Sequence, residues 1–372
     1  MRTIDKFRGC LVGGAVGDAL GYAVEFLSEP EIFGAYGPRG ITEYALQNGV
    51  AEISDDTQMT MFTATGLLLG TTRGQLRGIM AGYEDYVRYS YRDWYRTQTE
   101  RFPLPDDYHY SWLVNVPELF SRRAPGNTCM SALRSGEDAS ISHPINSSKG
   151  CGGVMRAAPV GLYFAENRVP IAESDRIGAE TAAITHGHPL GWLPAAALAH
   201  IIRFLIEHAG ARIADAVQDA AAALPVTFPD QQHAEALQAL LQRAIDLSAS
   251  EMSDLDAIHR LGQGWVGDEA LAIAVYCALK HSDSFEDAVI ASVNHRGDSD
   301  STGAITGNMM GAALGLKAIP QNCLDPLELR DVLLELADDL FHDCRLEAHS
   351  DCEDPVWEAK YVRMDYGKPA EN

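Results

Sequence analysis

The stretch Leu193-Pro-Ala-Ala-Ala-Leu-Ala-His-Ile-Ile-Arg-Phe-Leu-Ile-Glu207 settles the class of fold. It is rich in Ala and Leu, which favour helix, and its apolar residues recur at helical spacing. The same pattern returns in Thr60 to Leu69, Ile213 to Ala223, Gln232 to Leu247 and Leu327 to Phe341. Strand alternation is nearly absent, with Val50 to Ile53 the nearest candidate. The sequence therefore predicts an all-α protein. No fixed-period repeat and no Ser/Gly linker divides it, so one domain over residues 1–372 is the simplest organisation.

Composition narrows the function. The chain is 46% hydrophobic, enough for a sizeable core. Its net charge of −23 repels phosphate backbones and anionic lipid, which sets aside nucleic acid and membrane surfaces as primary ligands. Most of that charge serves solubility; only carboxylates at special positions call for chemistry. The seven cysteines are scattered without a CxxC pair, so a thiolate zinc site is not expected. Residues Met1–Arg8 carry charges instead of an apolar signal stretch, and no run approaches the roughly 18 apolar residues of a membrane span. The expectation is a cytoplasmic protein with reduced thiols.

Two acidic clusters stand out. Ser54-Asp55-Asp56-Thr57 opens an apolar helical run, and Asp298-Ser299-Asp300-Ser301-Thr302 opens another of small residues, Ala304 to Leu316. Either cluster alone reads as a capped helix start, with acids complementing the helix dipole. The second resembles half of a calcium loop but lacks the bidentate Glu at the required spacing. Brought together, four such carboxylates would repel one another by several kcal/mol unless cations intervened. Two divalent ions about 3.5–4 Å apart would remove that repulsion.

Three further segments invite a reading. Gly9, Gly13, Gly17 and Gly21 recur every four residues, lining one helix face for close packing. Asp18 and Glu25 lie beside that face, two helical turns apart, and need partners. Asn146 to Arg156 (NSSKGCGGVMR) is a glycine loop whose backbone N–H groups suit a diphosphate, with Lys149 adding a point charge. In Thr185-His186-Gly187-His188 the histidine spacing argues against zinc and fits a polar turn between helices. Tyr83 to Trp112 is dense in Tyr and Trp, which suit either a wall for a flat ligand or a wedge against the core.

GDALGYAVE (17–25), SDDTQMT (54–60), RAPGNTC (123–129), SKGCGGVMR (148–156), ITHGHP (184–189) and RGDSDSTGAITGN (296–308) together resemble the ADP-ribosylhydrolase (ADP-ribosylglycohydrolase) family, in order over residues 5 to 318. The resemblance implies a compact orthogonal helical bundle with a binuclear centre of two Mg²⁺ (or Mn²⁺) in a cleft. The motif-bearing core would span about residues 5–318, with a helical tail over about 320–372. It implies Ser54, Asp55, Asp56, Asp298, Asp300 and Ser301 as metal ligands. Asp55, Asp56, Asp300 and Glu25 would be catalytic, with Glu25 over the metals on a mobile loop. Ser148, Gly150, Gly152 and Gly153 would contact the diphosphate, and His186 would lie near the ADP-ribose. The implied activity is release of ADP-ribose from mono-ADP-ribosylated arginine on a protein. Lys149 and Cys151 depart from members acting on serine-linked ADP-ribose, which carry an aromatic residue and an asparagine there. The alternatives are hydrolysis of serine-linked or free ADP-ribosyl compounds, and a non-catalytic immunity or binding protein of the same fold. An inactive relative would have lost cage residues, and all six positions hold oxygen ligands here.

Overall fold

The computed structural model describes residues 2–105, 107–166, 169–229, 232–348 and 353–368. Its helices run in the order α1 (Ile4–Tyr22), α2 (Glu29–Tyr36), α3 (Asp55–Arg77), α4 (Tyr83–Thr99), α5 (Asn127–Ser135), α6 (Ala158–Tyr163), α7 (Ile171–Ala183) and α8 (Pro189–Glu207). They continue as α9 (Ile213–Thr227), α10 (Gln232–Ser248), α11 (Asp254–Leu261), α12 (Gly267–Lys280), α13 (Phe285–Val293), α14 (Ser299–Leu314), α15 (Gln321–Leu324) and α16 (Arg330–His342). Among the described residues there is no strand. Val50 and Ala51 make isolated bridges to Gln47 and Leu327, too short to propagate a ladder.

The most intimate contact joins the two ends of the chain. A Cβ on Gly9, Gly13, Gly17 or Gly21 would lie 2.0–2.6 Å from the backbone of Gly311, Gly307, Gly303 and Ser299 respectively. On α14, Gly303, Gly307 and Gly311 return the same relation to Gly17, Gly13 and Gly9. Two glycine faces therefore meet backbone to backbone, closer than any side chain permits. Asn308 stitches the seam, donating to the carbonyl of Cys10 at 2.8 Å.

α8 is the helix quoted at the outset. It is long and apolar enough to cross a membrane by length and composition, at mean hydropathy 1.5, which amends the sequence expectation. With 83% of that window buried inside the protein, its apolarity belongs to the core. His200 on its buried face joins Asp175 of α7 and Asp219 of α9 through Nδ1 and Nε2, both at 2.9 Å.

The aromatic segment 83–112 proves to be a wedge. Tyr91 and Trp94 are buried on α4 against α3, with Tyr91 bonded to Thr63 and Trp94 to Gln58. The tail folds back: Trp357 donates to Thr72 of α3 at 2.9 Å, and Lys360 pairs with Asp339 of α16 at 2.7 Å. Cys352 lies outside the described residues, and the six other cysteines are free.

Candidate active site

The glycine seam delivers the start of α14 to the end of α1, and Asp18 ties α1 to the start of α3. Asp18 is fully buried, and its carboxylate accepts the N–H groups of Ser54 at 3.0 Å and Thr57 at 3.1 Å, with the Thr57 hydroxyl as a third donor. It thereby satisfies amides that a helix start leaves unpaired. Burial and the charge of Asp300 push its pKa up to about 7 despite these donors. The sequence reading set Asp18 and Glu25 on one helical face. α1 ends at Tyr22 instead, and Glu25 sits in the following turn, aimed differently.

Glu25, Asp298 and Asp300 each place one carboxylate oxygen within 4.8 Å of the others, and all three are buried. Asp56 joins them through Ser301, whose hydroxyl donates to it at 2.8 Å. Asp55 is held by the N–H of Gly126 at 3.2 Å, and the Cys151 thiol donates to Asp298 at 2.6 Å. Burial, then the charge of Asp300, raises Glu25 to about 10 and lifts Asp55, Asp56 and Asp298 well above the carboxylate range. Asp300 itself is raised by burial.

Helix capping does not account for this cluster. Ser54 does cap α3, its hydroxyl accepting the N–H of Asp56 at 3.2 Å. Asp298 holds the equivalent position on α14 yet makes no side-chain cap bond, and Oε2 of Glu25 is buried without a hydrogen-bond partner. Among the described residues none of the five carboxylates is in an ion pair. The adjacent buried cation, Arg156, bonds neutral groups: the Thr185 hydroxyl at 2.7 Å and the sulfurs of Met59 and Cys129. Arg156 offsets the charge of Asp55 only slightly, and five buried acids without an ion-pair partner are a strained arrangement. Their oxygen-only donor set fits hard divalent ions such as Mg²⁺ or Mn²⁺.

A cleft of about 210 Å³ opens over the cluster. Glu25, Asp55, Asp56, Asp298, Asp300, Ser301, Gly150, Gly152 and His186 line it. His186 is buried with Nδ1 at 2.8 Å from the Thr185 hydroxyl; burial and the charge of Arg156 depress its pKa to about 3, so the ring is neutral. Three residues given a ligand or substrate role from the family resemblance are not on the cleft wall, and Lys149, expected to add charge at the diphosphate, lies on the neighbouring groove instead. Ser54 lies beneath as the cap, Ser148 turns to Thr128 and the N–H of Gly150, and Gly153 admits the carbonyl of Gly191, 2.4 Å from where a Cβ would be.

Other lining residues carried no assigned role in the sequence reading: Ala124, Gly126, Asn127, Thr128, Cys129, Met155 and Trp265. The RAPGNTC motif already flagged the first five as a group. Trp265 had no signal, because a single Trp between glycines sets no pattern.

The comparisons agree with this architecture. The family profile described as ADP-ribosylglycohydrolase matches residues 1–349. ADP-ribosylarginine hydrolase Tri1 of Serratia proteamaculans is 27% identical over 91% of this chain and 80% of its own. ADP-ribosyl-[dinitrogen reductase] glycohydrolase of Rhodospirillum rubrum is 26% identical over 90% of this chain and 97% of its own. A solved structure described as an ADP-ribosylglycohydrolase-related protein complex superposes with TM-score 0.59 at 23% identity, covering 91% of this chain and 98% of that one, which speaks for the fold. With a helical fold, a buried acidic cleft and a profile match over nearly its whole length, this chain belongs to the ADP-ribosylglycohydrolase family.

Proposed function

We propose that the protein hydrolyses the N-glycosidic bond of mono-ADP-ribosylated arginine, releasing ADP-ribose and restoring the guanidinium. The observation that carries the reading is the convergence of five unpaired, buried carboxylates from both ends of the chain in one cleft. The name of the Serratia relative supports this bond and this acceptor, and that of the Rhodospirillum relative supports removal of ADP-ribose from a protein.

Asp55, Asp56, Asp298 and Asp300, with the hydroxyls of Ser54 and Ser301, would hold two Mg²⁺ or Mn²⁺. When bound, the ions supply Lewis acidity for the ribose 2″ and 3″ hydroxyls and for a water. Asp55, already oriented by the Gly126 N–H, or Asp56 would take the proton of the attacking water. Glu25, with one oxygen unengaged and standing in a turn, would orient the susceptible bond or gate the cleft. Gly152 would bring its backbone amide to the diphosphate, and Gly150, whose own N–H goes to the Ser148 hydroxyl, would leave room for it, with Gly153 and Ser148 beneath. A neutral His186 would add a hydrogen bond there without adding charge. The guanidine is already protonated in the substrate, so it departs as the neutral base with little acid assistance, and the proton taken from the attacking water restores the guanidinium.

The direct test is incubation with an arginine-ADP-ribosylated protein and Mg²⁺, following free ADP-ribose. Release is expected, abolished by EDTA and restored by Mg²⁺ or Mn²⁺. Undiminished turnover after exhaustive chelation rules out the metal cage, and release from serine-linked but not arginine-linked peptide in the same assay overturns the linkage.

A further inference from the structure

The cleft does not end at the carboxylates. Trp265 lines both it and a wider groove of about 710 Å³ alongside. Lys149, His259, Glu269 and Arg296 form much of that groove, with Glu29 from the start of α2. At their junction Phe26, directly after Glu25, stacks on Trp265 with ring centroids 6.2 Å apart and planes 21° from parallel. Phe26 is 72% exposed and Trp265 41%. An exposed aromatic pair flanked by arginine is the residue chemistry that anchors protein interfaces.

The charges of the groove are not evenly available. Glu29 accepts from the His259 ring at 2.6 Å and from the Arg296 N–H at 3.3 Å. Glu269 accepts the N–H groups of Gln263 at 2.8 Å and Gly264 at 3.3 Å. Both acids are thus engaged within the protein. The Lys149 ammonium and Arg296 guanidinium are exposed, and neither makes a hydrogen bond or ion pair with a described residue. Glu29 feels the charge of Arg296 and Asp268 that of Lys149, but neither cation is bonded to these acids, so in a chain of net charge −23 both keep unengaged N–H donors beside the cleft mouth.

We propose that this rim docks the polypeptide that bears the ADP-ribosyl group, and that Lys149 and Arg296 select chains with Asp or Glu next to the modified residue. The inference rests on the hydrolase reading above. In that reading Glu25 faces the susceptible bond, so the acceptor chain leaves the cleft past its neighbour Phe26 and past Trp265. Its flanking side chains then reach the two cations.

The test compares three substrates: ADP-ribosyl-arginine without flanking residues, an ADP-ribosylated peptide flanked by Glu, and the same peptide flanked by Lys. At low salt kcat/KM should favour the Glu peptide over the Lys peptide on the order of fivefold, the size of a rim charge pair. High salt should erase the preference. Arg296→Glu should flatten or invert it while leaving the small compound unchanged. Equal kcat/KM for the two peptides in the wild type overturns the docking proposal alone, as does an Arg296→Glu loss shared equally by the small compound. Failure to turn over any of the three overturns the hydrolase reading first, and the docking proposal with it.

Discussion

The charge of Asp300 acts on Glu25, Asp55, Asp56 and Asp298 at once, and in each it is the largest contribution after burial. In the metal-free protein that charge is a liability; in the proposed centre Asp300 would be one of the residues that hold the ions. Asp300→Asn should therefore split the two effects. Its amide oxygen can still accept the Ser301 N–H that Asp300 accepts at 2.9 Å, so the local backbone is kept. The EDTA-treated variant should be more stable than EDTA-treated wild type by roughly 1–2 kcal/mol through relief of like-charge repulsion. It should also lose the rise in melting temperature on Mn²⁺ addition. Thermal melts with and without metal read both, and a variant that is less stable without metal and still stabilised by Mn²⁺ contradicts the role of Asp300 as a metal ligand. Asp55, Asp56, Asp298 and Asp300 were legible in the sequence because an acid beside a hydroxyl at a helix start recurs twice. Asp18 was only half legible. Its burial and need for partners followed from the glycines around it, but two of its three donors are the backbone amides of Ser54 and Thr57, which no side-chain pattern announces.

Helix by helix, the period-four glycines of α1 gave the clearest forecast, tight packing, although nothing in them named α14 as the partner. That pairing depends on Gly303, Gly307 and Gly311 having the same spacing near the other end of the chain. Gly17→Ala would set a methyl 2.0 Å from the carbonyl of Gly303, and with backbone on both sides nothing can yield. A loss of about 3 kcal/mol or more is expected by urea denaturation. Gly34→Ala is the contrasting change: it lies within α2, and a Cβ there meets nothing within 4 Å. That variant should gain roughly 0.5–1 kcal/mol from helix propensity and reduced chain entropy. Similar effects from the two substitutions would show that the seam is looser than drawn. Helix boundaries were less legible. The periodicity beginning at Leu327 becomes helix only at Arg330, because Leu329 takes a left-handed conformation at φ 55°.

For the molecule as a whole, composition foretold a large acidic helical protein but not the polar links within its interior. One of them is the triad of buried His200 with Asp175 and the partly exposed Asp219, which joins α7, α8 and α9. Burial disfavours the imidazolium, but the hydrogen bonds and charges of the two aspartates outweigh it and raise the His200 pKa. A raised folded value means full stabilisation below the ordinary imidazole range and its loss as pH climbs through the folded value. Comparing urea midpoints of wild type and His200→Gln, the deficit of the variant should be widest in mild acid and narrow in alkali. A deficit independent of pH would mean that the triad contributes through packing alone. The meeting of α1 with α14 has a consequence of another kind, for synthesis. During translation at about 5–20 residues per second, the first helix waits tens of seconds before its mate is made. Until then its glycine groove has nothing to close against. The nascent chain cannot finish from its front end, and a ribosome that stalls before α14 is made leaves a protein without its acidic cradle.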